Sequence, residues 1–167
     1  MIALQITELK TFMSRLLGAE AFDHFLLEEA DITTYNAFHI DGRVVKAFYT
    51  KEEIEEQPEK NWEFSSWQDI RPVCFQLIKG KKTPVSFQFT MHLDEQHSME
   101  LIASDDCTVP AEVFKSFVLN IKYDGSHVTC ITATSLNTFL MDKSADAVWD
   151  TYMKKFLTSL QIAFDEV

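Results

Sequence analysis

Apolar and polar residues alternate through residues 115–134, and the two alternating segments meet at Asp124 and Gly125. Asp-Gly between two such segments is typical of a two-residue β-hairpin turn. That turn places Ile121 opposite Val128 and gives the hairpin one largely apolar face. We therefore predict a hairpin here, at the centre of a sheet.

Two further segments predict hairpins. Residues 25–49 are rich in strand-forming residues around Asp41-Gly42, which predicts a turn with Phe38 opposite Val45. Residues 85–93 alternate strictly, and a turn at 94–98 keeps them in phase with a strand at 99–103. A shorter alternation at residues 2–6 predicts a strand that joins the same sheet. From the hairpin positions we expect Gly125→Val to destabilise the protein more than Gly42→Val, because Gly125 lies in the central turn.

Helical spacing of apolar residues predicts three amphipathic helices, at about residues 9–17, 70–78 and 145–160. The second contains Pro72, which fits the first turn if Asp69 is the N-cap, whereas a start at Ser66 puts Pro72 inside the helix. Residues 50–60 carry five Glu around one Ile, which predicts an exposed helical turn or loop.

These elements predict an α+β fold with an antiparallel sheet of about six strands from three hairpins, and three amphipathic helices mainly on one face. The length of 167 residues favours a single globular domain, residues 1–167. Asp41-Gly42 and Asp124-Gly125 lie about half a chain length apart, a weak indication of an internal hairpin-helix duplication.

Composition and charge narrow the classes of partner. Hydrophobic residues make up 46% of the chain, and the net charge of -11 is unfavourable for binding nucleic acid or an anionic membrane. No apolar run reaches the roughly 20 residues of a membrane span. The chain has three cysteines, Cys74, Cys107 and Cys130. Their number is odd, no two of them form a CxxC pair, and no secretory leader is apparent. We therefore expect reduced, buried thiols in an acidic cytoplasmic protein.

Three stretches carry a likeness to known sequences. They are residues 1–30, which include Phe22, His24 and Phe25, residues 121–125, and residues 138–144. In these stretches the chain resembles a family of uncharacterised short proteins from gut Clostridia. The resemblance implies a bacterial cytoplasmic location and no known activity, and it provides no catalytic residue.

The polar face of the predicted strand at residues 85–93 offers the best candidate for chemistry. Thr90 and His92, with Glu100 on the expected partner strand, supply the residue types of a general acid-base pair. His92 and His97 also flank Asp94 and Glu95, which could hold a divalent metal at a hairpin tip. A solvent-exposed sheet face and an ordinary turn explain the same residues, so we expect no metal, no cofactor and no catalytic residue, and a melting temperature that chelators leave unchanged.

Two other groups of residues could bind a ligand or partner. Trp62, Phe64 and Trp67 crowd beside the acidic segment, where they either line a binding surface or close the core. Three lysines surround Gly80 and could hold an anion, although cations near a helix C-terminus are favoured by the helix dipole alone.

The function expected from the sequence is a non-enzymatic binding or protein-interaction module for an unknown protein or small-molecule ligand. The alternative is a small hydrolase or metal-dependent enzyme that uses the His92 region.

Overall fold

The structure is a computed structural model that describes every residue from Met1 to Val167. In chain order its elements are β1 (Ala3–Ile6), α1 (Leu9–Leu17), β2 (Phe25–Thr33), β3 (Ala37–Asp41), a 3-10 turn (Lys46–Phe48), α2 (Lys51–Glu55), β4 (Ser65–Ser66), α3 (Trp67–Ile78), β5 (Ser86–Leu93), α4 (Glu95–Ile102), β6 (Phe114–Tyr123), β7 (Val128–Leu136), α5 (Ser144–Ser159) and β8 (Phe164–Glu166).

All eight strands form one antiparallel sheet in the order β3-β2-β5-β6-β7-β1-β8, with β4 paired to β2. The α+β fold and the antiparallel sheet confirm the prediction. The counts differ: the sheet has eight strands rather than about six, and there are five α-helices rather than three.

The central hairpin forms as predicted, but its register differs. Ile121 lies opposite Cys130 rather than Val128, and Val128 lies opposite Tyr123. The Asp124 carboxylate accepts the backbone N–H groups of Ser126 and His127 at 2.8 Å, which stabilises a four-residue loop instead of a two-residue turn. Because the shift is two residues, every side chain keeps its predicted face.

Of the other two predicted hairpins, the first forms with a different turn and the second does not form. The turn between β2 and β3 lies at residues 34–36, and Asp41-Gly42 ends β3, where the Gly42 N–H donates to the Glu28 carbonyl at 2.8 Å. Residues 95–102 form α4 rather than a strand, because the Asp94 side chain accepts the His97 N–H and caps a helix. β5 therefore has no hairpin partner after it, and it pairs with β2 and β6.

The core lies on one face of the sheet, between the strands and helices α1, α3 and α5. β5 and β6 present alternate residues to it, and Trp67 of α3 lies 5.3 Å from Phe89 while Trp149 of α5 lies 5.1 Å from Phe117 between ring centroids. α3 begins after Ser66, whose hydroxyl accepts the Asp69 N–H, so Pro72 lies inside the helix. These helices cover one face of the sheet, and the opposite face remains available for a site.

No helix combines the length and the apolar character that crossing a bilayer requires.

Candidate functional site

A cleft of about 630 Å³ lies over the sheet face opposite the three core helices. His92, the penultimate residue of β5, lines this cleft from the sheet. α4 and the segment between β3 and β4 contribute to its walls. Its charged and polar lining consists of Glu28, Arg43, Asn61, Glu63, His92, Glu95, Ser98, Lys115, Ser116 and Ser135.

The His92 imidazole is held on three sides. Its Nδ1 lies 3.1 Å from the Ser116 hydroxyl, and its Nε2 lies 3.2 Å from a carboxylate oxygen of Glu28. The Phe64 ring stacks on it with centroids 4.7 Å apart and planes 13° from parallel. These contacts fix the orientation of a side chain that is only 11% exposed.

The two hydrogen-bond partners of His92 lie on β2 and β6, at positions where the strand pairing is irregular. In β2 the pairing with β5 shifts register between Leu27 and Glu29, so Glu28 is the additional residue. In β6 the pairing with β7 shifts between Phe114 and Ser116. A β-bulge turns side chains away from regular alternation and is over-represented beside active sites. The three side chains Glu28, His92 and Ser116 thus come from three adjacent strands.

The hydrogen bonds define what the imidazole can do. An ionised Glu28 carboxylate only accepts hydrogen bonds, so with a neutral ring Nε2 carries the proton and Nδ1 accepts from the Ser116 O–H. The ring is then a base aimed at a hydroxyl, with a carboxylate holding its opposite side. Cations from Arg43 and Lys115 and carboxylates from Glu63 and Glu95 give the rest of the cleft a mixed charge.

The predicted site residues occupy different places. Thr90 is buried and donates its hydroxyl proton to the Asn120 amide oxygen at 3.1 Å. Phe64 lines the cleft, whereas Trp62 is half-buried, with its N–H donating to the Gln57 carbonyl and Lys60 over its ring. Trp67 is fully buried, and its indole N–H donates to the Leu16 carbonyl.

Glu100 does not share a face with His92. It lies on α4, is exposed and is absent from the lining of the cleft, because the strand on which it was expected is a helix. Phe64 and His92 are therefore the two predicted residues that the structure brings into contact.

The turn considered as a possible metal site has a different arrangement in the structure. His97 Nδ1 lies 2.7 Å from a carboxylate oxygen of Asp94, whereas His92 forms hydrogen bonds with Glu28 and Ser116. The group whose donor atoms could hold a metal is Glu29, Asp31 and His39, within 4.8 Å of one another on β2 and β3. Asp31 raises the pKa of the exposed His39 through a hydrogen bond of 2.7 Å.

All three cysteines are free. Burial raises the pKa of Cys74 and of Cys130 to about 12, so these thiols stay protonated. Cys107 is only half-buried, which corrects the expectation that all three are buried.

Sequence reasoning missed Glu28 and Ser116. Alternation places Ser116 on the same face as Val118 and Asn120, so its direction could have been found from the sequence. Its distance from His92 depends on the pairing of β5 with β6, and the position of Glu28 depends on a register shift.

Comparison with known proteins identifies a family whose function is unknown. Residues 15–165 match DUF5721, a family of unknown function. Neither the curated proteins nor the solved structures contain a significant match to the chain. Because the family match spans nearly the whole sequence, the chain belongs to the DUF5721 family of unknown function.

Proposed function

We propose that the protein binds a small polar organic molecule in the His92 cleft and acts as a binding module. The observation that carries the proposal is the convergence of acidic, basic and hydroxyl side chains from separate chain segments in one concave space of about 630 Å³. That volume lies within the range of small-ligand pockets, roughly 300 to 1,000 Å³. Mixed charge favours a ligand with both hydrogen-bond donors and acceptors.

The aromatic residues favour a small molecule over a protein partner. Trp67 belongs to the core, and Phe64 packs against His92 instead of forming an exposed patch with its neighbours. Protein interfaces usually centre on exposed aromatic anchors, and Trp62, Phe64 and Trp67 do not form one such patch together.

A thermal-shift screen tests the proposal. Free amino acids, nucleosides and monosaccharides are added one at a time, and at least one class should raise the melting temperature by mass action. Glu28→Gln and Ser116→Ala should remove the shift, because each deletes a partner of His92. Gln88→Ala, on β5 but outside the cleft lining, should retain it. A shift that survives both cleft variants would contradict the proposal.

Ester hydrolysis is a second candidate, favoured specifically by the Ser116–His92–Glu28 chain. In this mechanism His92 Nδ1 takes the Ser116 proton as the oxygen attacks the carbonyl carbon. The imidazolium then protonates the departing alcohol, which leaves an acyl group on Ser116. Water, deprotonated by His92, attacks this acyl group, and the acid is released as the Ser116 oxygen regains its proton. Glu28 holds the ring throughout. Binding alone needs only the cleft, whereas hydrolysis also needs donors for the oxyanion.

Covalent labelling distinguishes the two candidates. A fluorophosphonate probe should modify Ser116 if hydrolysis is the function, and labelling should be lost in Ser116→Ala and His92→Gln. Ser135→Ala, which changes another hydroxyl of the lining, is the matched control and should still be labelled. An unlabelled protein that still binds a ligand would leave binding as the function.

We also propose a location in the bacterial cytoplasm. The free cysteines and the resemblance to proteins of gut Clostridia support it.

A further inference from the structure

A second concave space lies on the helical side of the molecule, away from His92. It is a groove of about 510 Å³ between α1, the end of α3 and the loop of residues 79–84. None of the residues that line it lines the His92 cleft. Its chemistry is also different.

The walls and floor of the groove are apolar. Leu9, Met13 and Leu17 recur at a spacing of four on α1 and therefore form one stripe along its side. Phe75 and Ile78 at the end of α3 form the facing wall. Phe87 and Tyr123, stacked with ring centroids 5.1 Å apart, contribute their rings below. Phe75 is 41% exposed, so this apolar surface is open to solvent.

The charged residues of the groove are all cations. Lys10, Lys79 and Lys82 line it, and no acidic residue does. None of the three forms an ion pair, since the lysine ion pairs of the protein involve Lys143 and Lys154. This is a local excess of positive charge in a chain whose net charge is -11.

The helix dipoles do not account for all of this charge. Lys79 follows the C-terminus of α3, where a cation is favourable. Lys10, however, lies in the first turn of α1, where a cation is unfavourable, and that turn has neither an acidic residue nor a side-chain cap. The N-cap residue of α1 is Glu8, whose carboxylate partly offsets the positive end of this helix dipole.

We propose that this groove binds a free medium-chain fatty acid, with the alkyl chain against the α1 stripe and the carboxylate among Lys10, Lys79 and Lys82. The apolar walls match a hydrocarbon chain, and the unpaired lysines match a single anionic group. The volume suits a small ligand rather than a protein partner. The net charge of -11 disfavours docking on an anionic membrane, so the occupant is the free acid.

Calorimetric titration of the full chain with decanoate tests the inference, with decyltrimethylammonium and acetate as comparison ligands. Decanoate should bind with saturation. Acetate, which lacks the chain, and the cationic amphiphile, which has the wrong charge, should not. Shortening the acid to octanoate should weaken binding by about tenfold or more, since each buried methylene contributes about fourfold.

Variants of the groove separate specific binding from adsorption. Lys79→Gln with Lys82→Gln should weaken decanoate binding by about twofold to thirtyfold, the range expected for two exposed ion pairs. Lys46→Gln with Lys51→Gln removes the same charge from exposed positions outside the groove and should leave binding unchanged. Met13→Glu should abolish binding by placing an acid on the apolar wall, and circular dichroism checks that this variant is folded.

Three results with soluble ligands would overturn the inference. They are the absence of saturable decanoate binding, equal binding of the cationic amphiphile, and equal loss of binding in the groove and control variants. Binding to phosphatidylglycerol vesicles without binding of free decanoate would also overturn it, in favour of a membrane surface.

Discussion

Two glycines show how differently the backbone can require the absence of a side chain. At Gly42 an added Cβ would lie 1.9 Å from the Leu27 carbonyl oxygen, because β3 ends against the backbone of β2. At Gly125 the nearest atom, the Val85 carbonyl oxygen, would be 3.1 Å away, and the constraint is a φ of 97°. The first is a steric overlap with main chain, and the second is mainly conformational strain.

We therefore predict that Gly42→Ala destabilises the protein more than Gly125→Ala, the reverse of the order expected from the hairpin positions. The first should cost more than about 3 kcal/mol, because the backbone of β2 must move, and the second about 1 kcal/mol. Urea denaturation gives both values. Gly80→Ala, with φ 140° and no atom within 4 Å of its Cβ, isolates the conformational part. Equal losses for Gly42 and Gly125 would contradict the packing argument.

At the scale of elements, local patterns predicted those elements whose apolar spacing was long and regular. β5, α1 and α5 occur where alternation or helical spacing predicted them. The alternation of Met99, Leu101 and Ala103 predicts a strand where the structure has α4. The cap at Asp94 and the burial of Ser98 and Ile102, four residues apart, indicate a helix instead.

The candidate site was predictable only in part, because its geometry depends on contacts between distant segments. His92 could be assigned to the polar face of β5 from alternation alone. Its partners come from β2 and β6, and no local pattern tells which strands lie beside β5. The predicted two-residue turn at Asp124 was a smaller error. The backbone N–H groups of His127 and Ser126 donate to the Asp124 carboxylate, which stabilises the four-residue loop and lowers the pKa of Asp124.

The helix α5 provides a prediction at this scale. Trp149 is fully buried, stacks on Phe117 and Tyr152, and donates its indole N–H to the Val118 carbonyl at 2.9 Å. Trp149→Ala should therefore cost about 3 to 5 kcal/mol of unfolding free energy. Phe139→Ala, at a position 90% exposed, is the control and should change stability by less than about 0.5 kcal/mol. A loss below about 1 kcal/mol for Trp149→Ala in chemical denaturation would mean that α5 does not anchor the sheet.

For the whole molecule, the sheet separates two chemically different spaces. One face packs against α1, α3 and α5, and the apolar groove with its lysines opens beside these helices. The opposite face holds His92, Glu28 and Ser116 in a polar cleft. Neither space uses His24, a half-buried histidine that immediately precedes β2 and whose titration we expect to affect the stability of the fold.

His24 packs against Phe25, His97 and Phe156, and its Nε2 lies 3.2 Å from the Tyr152 hydroxyl. Burial and then the nearby His97 lower the pKa of His24 to about 4, despite the opposing effect of Asp94 and Asp23. Burial likewise raises the pKa of Tyr152 to about 12, so Tyr152 remains a neutral hydroxyl. The folded protein therefore keeps His24 uncharged in a pH range where the unfolded chain protonates it.

The sign of the pH dependence follows from these values. Between pH 6.5 and about 4 the unfolded state binds a proton at His24 that the folded state does not bind, so stability falls as the pH is lowered through this window.

We predict that lowering the pH from 7.5 to 4.5 costs the wild type about 1 to 2 kcal/mol more than it costs His24→Gln, after allowing for solvent screening of a partly exposed ring. Urea midpoints at each pH measure the difference. His127→Gln, in the exposed loop between β6 and β7, controls for the loss of any histidine and should follow the wild-type curve. Parallel curves for the wild type and His24→Gln would show that His24 is charged in the folded protein, and the packing around Tyr152 would then have to hold a cation.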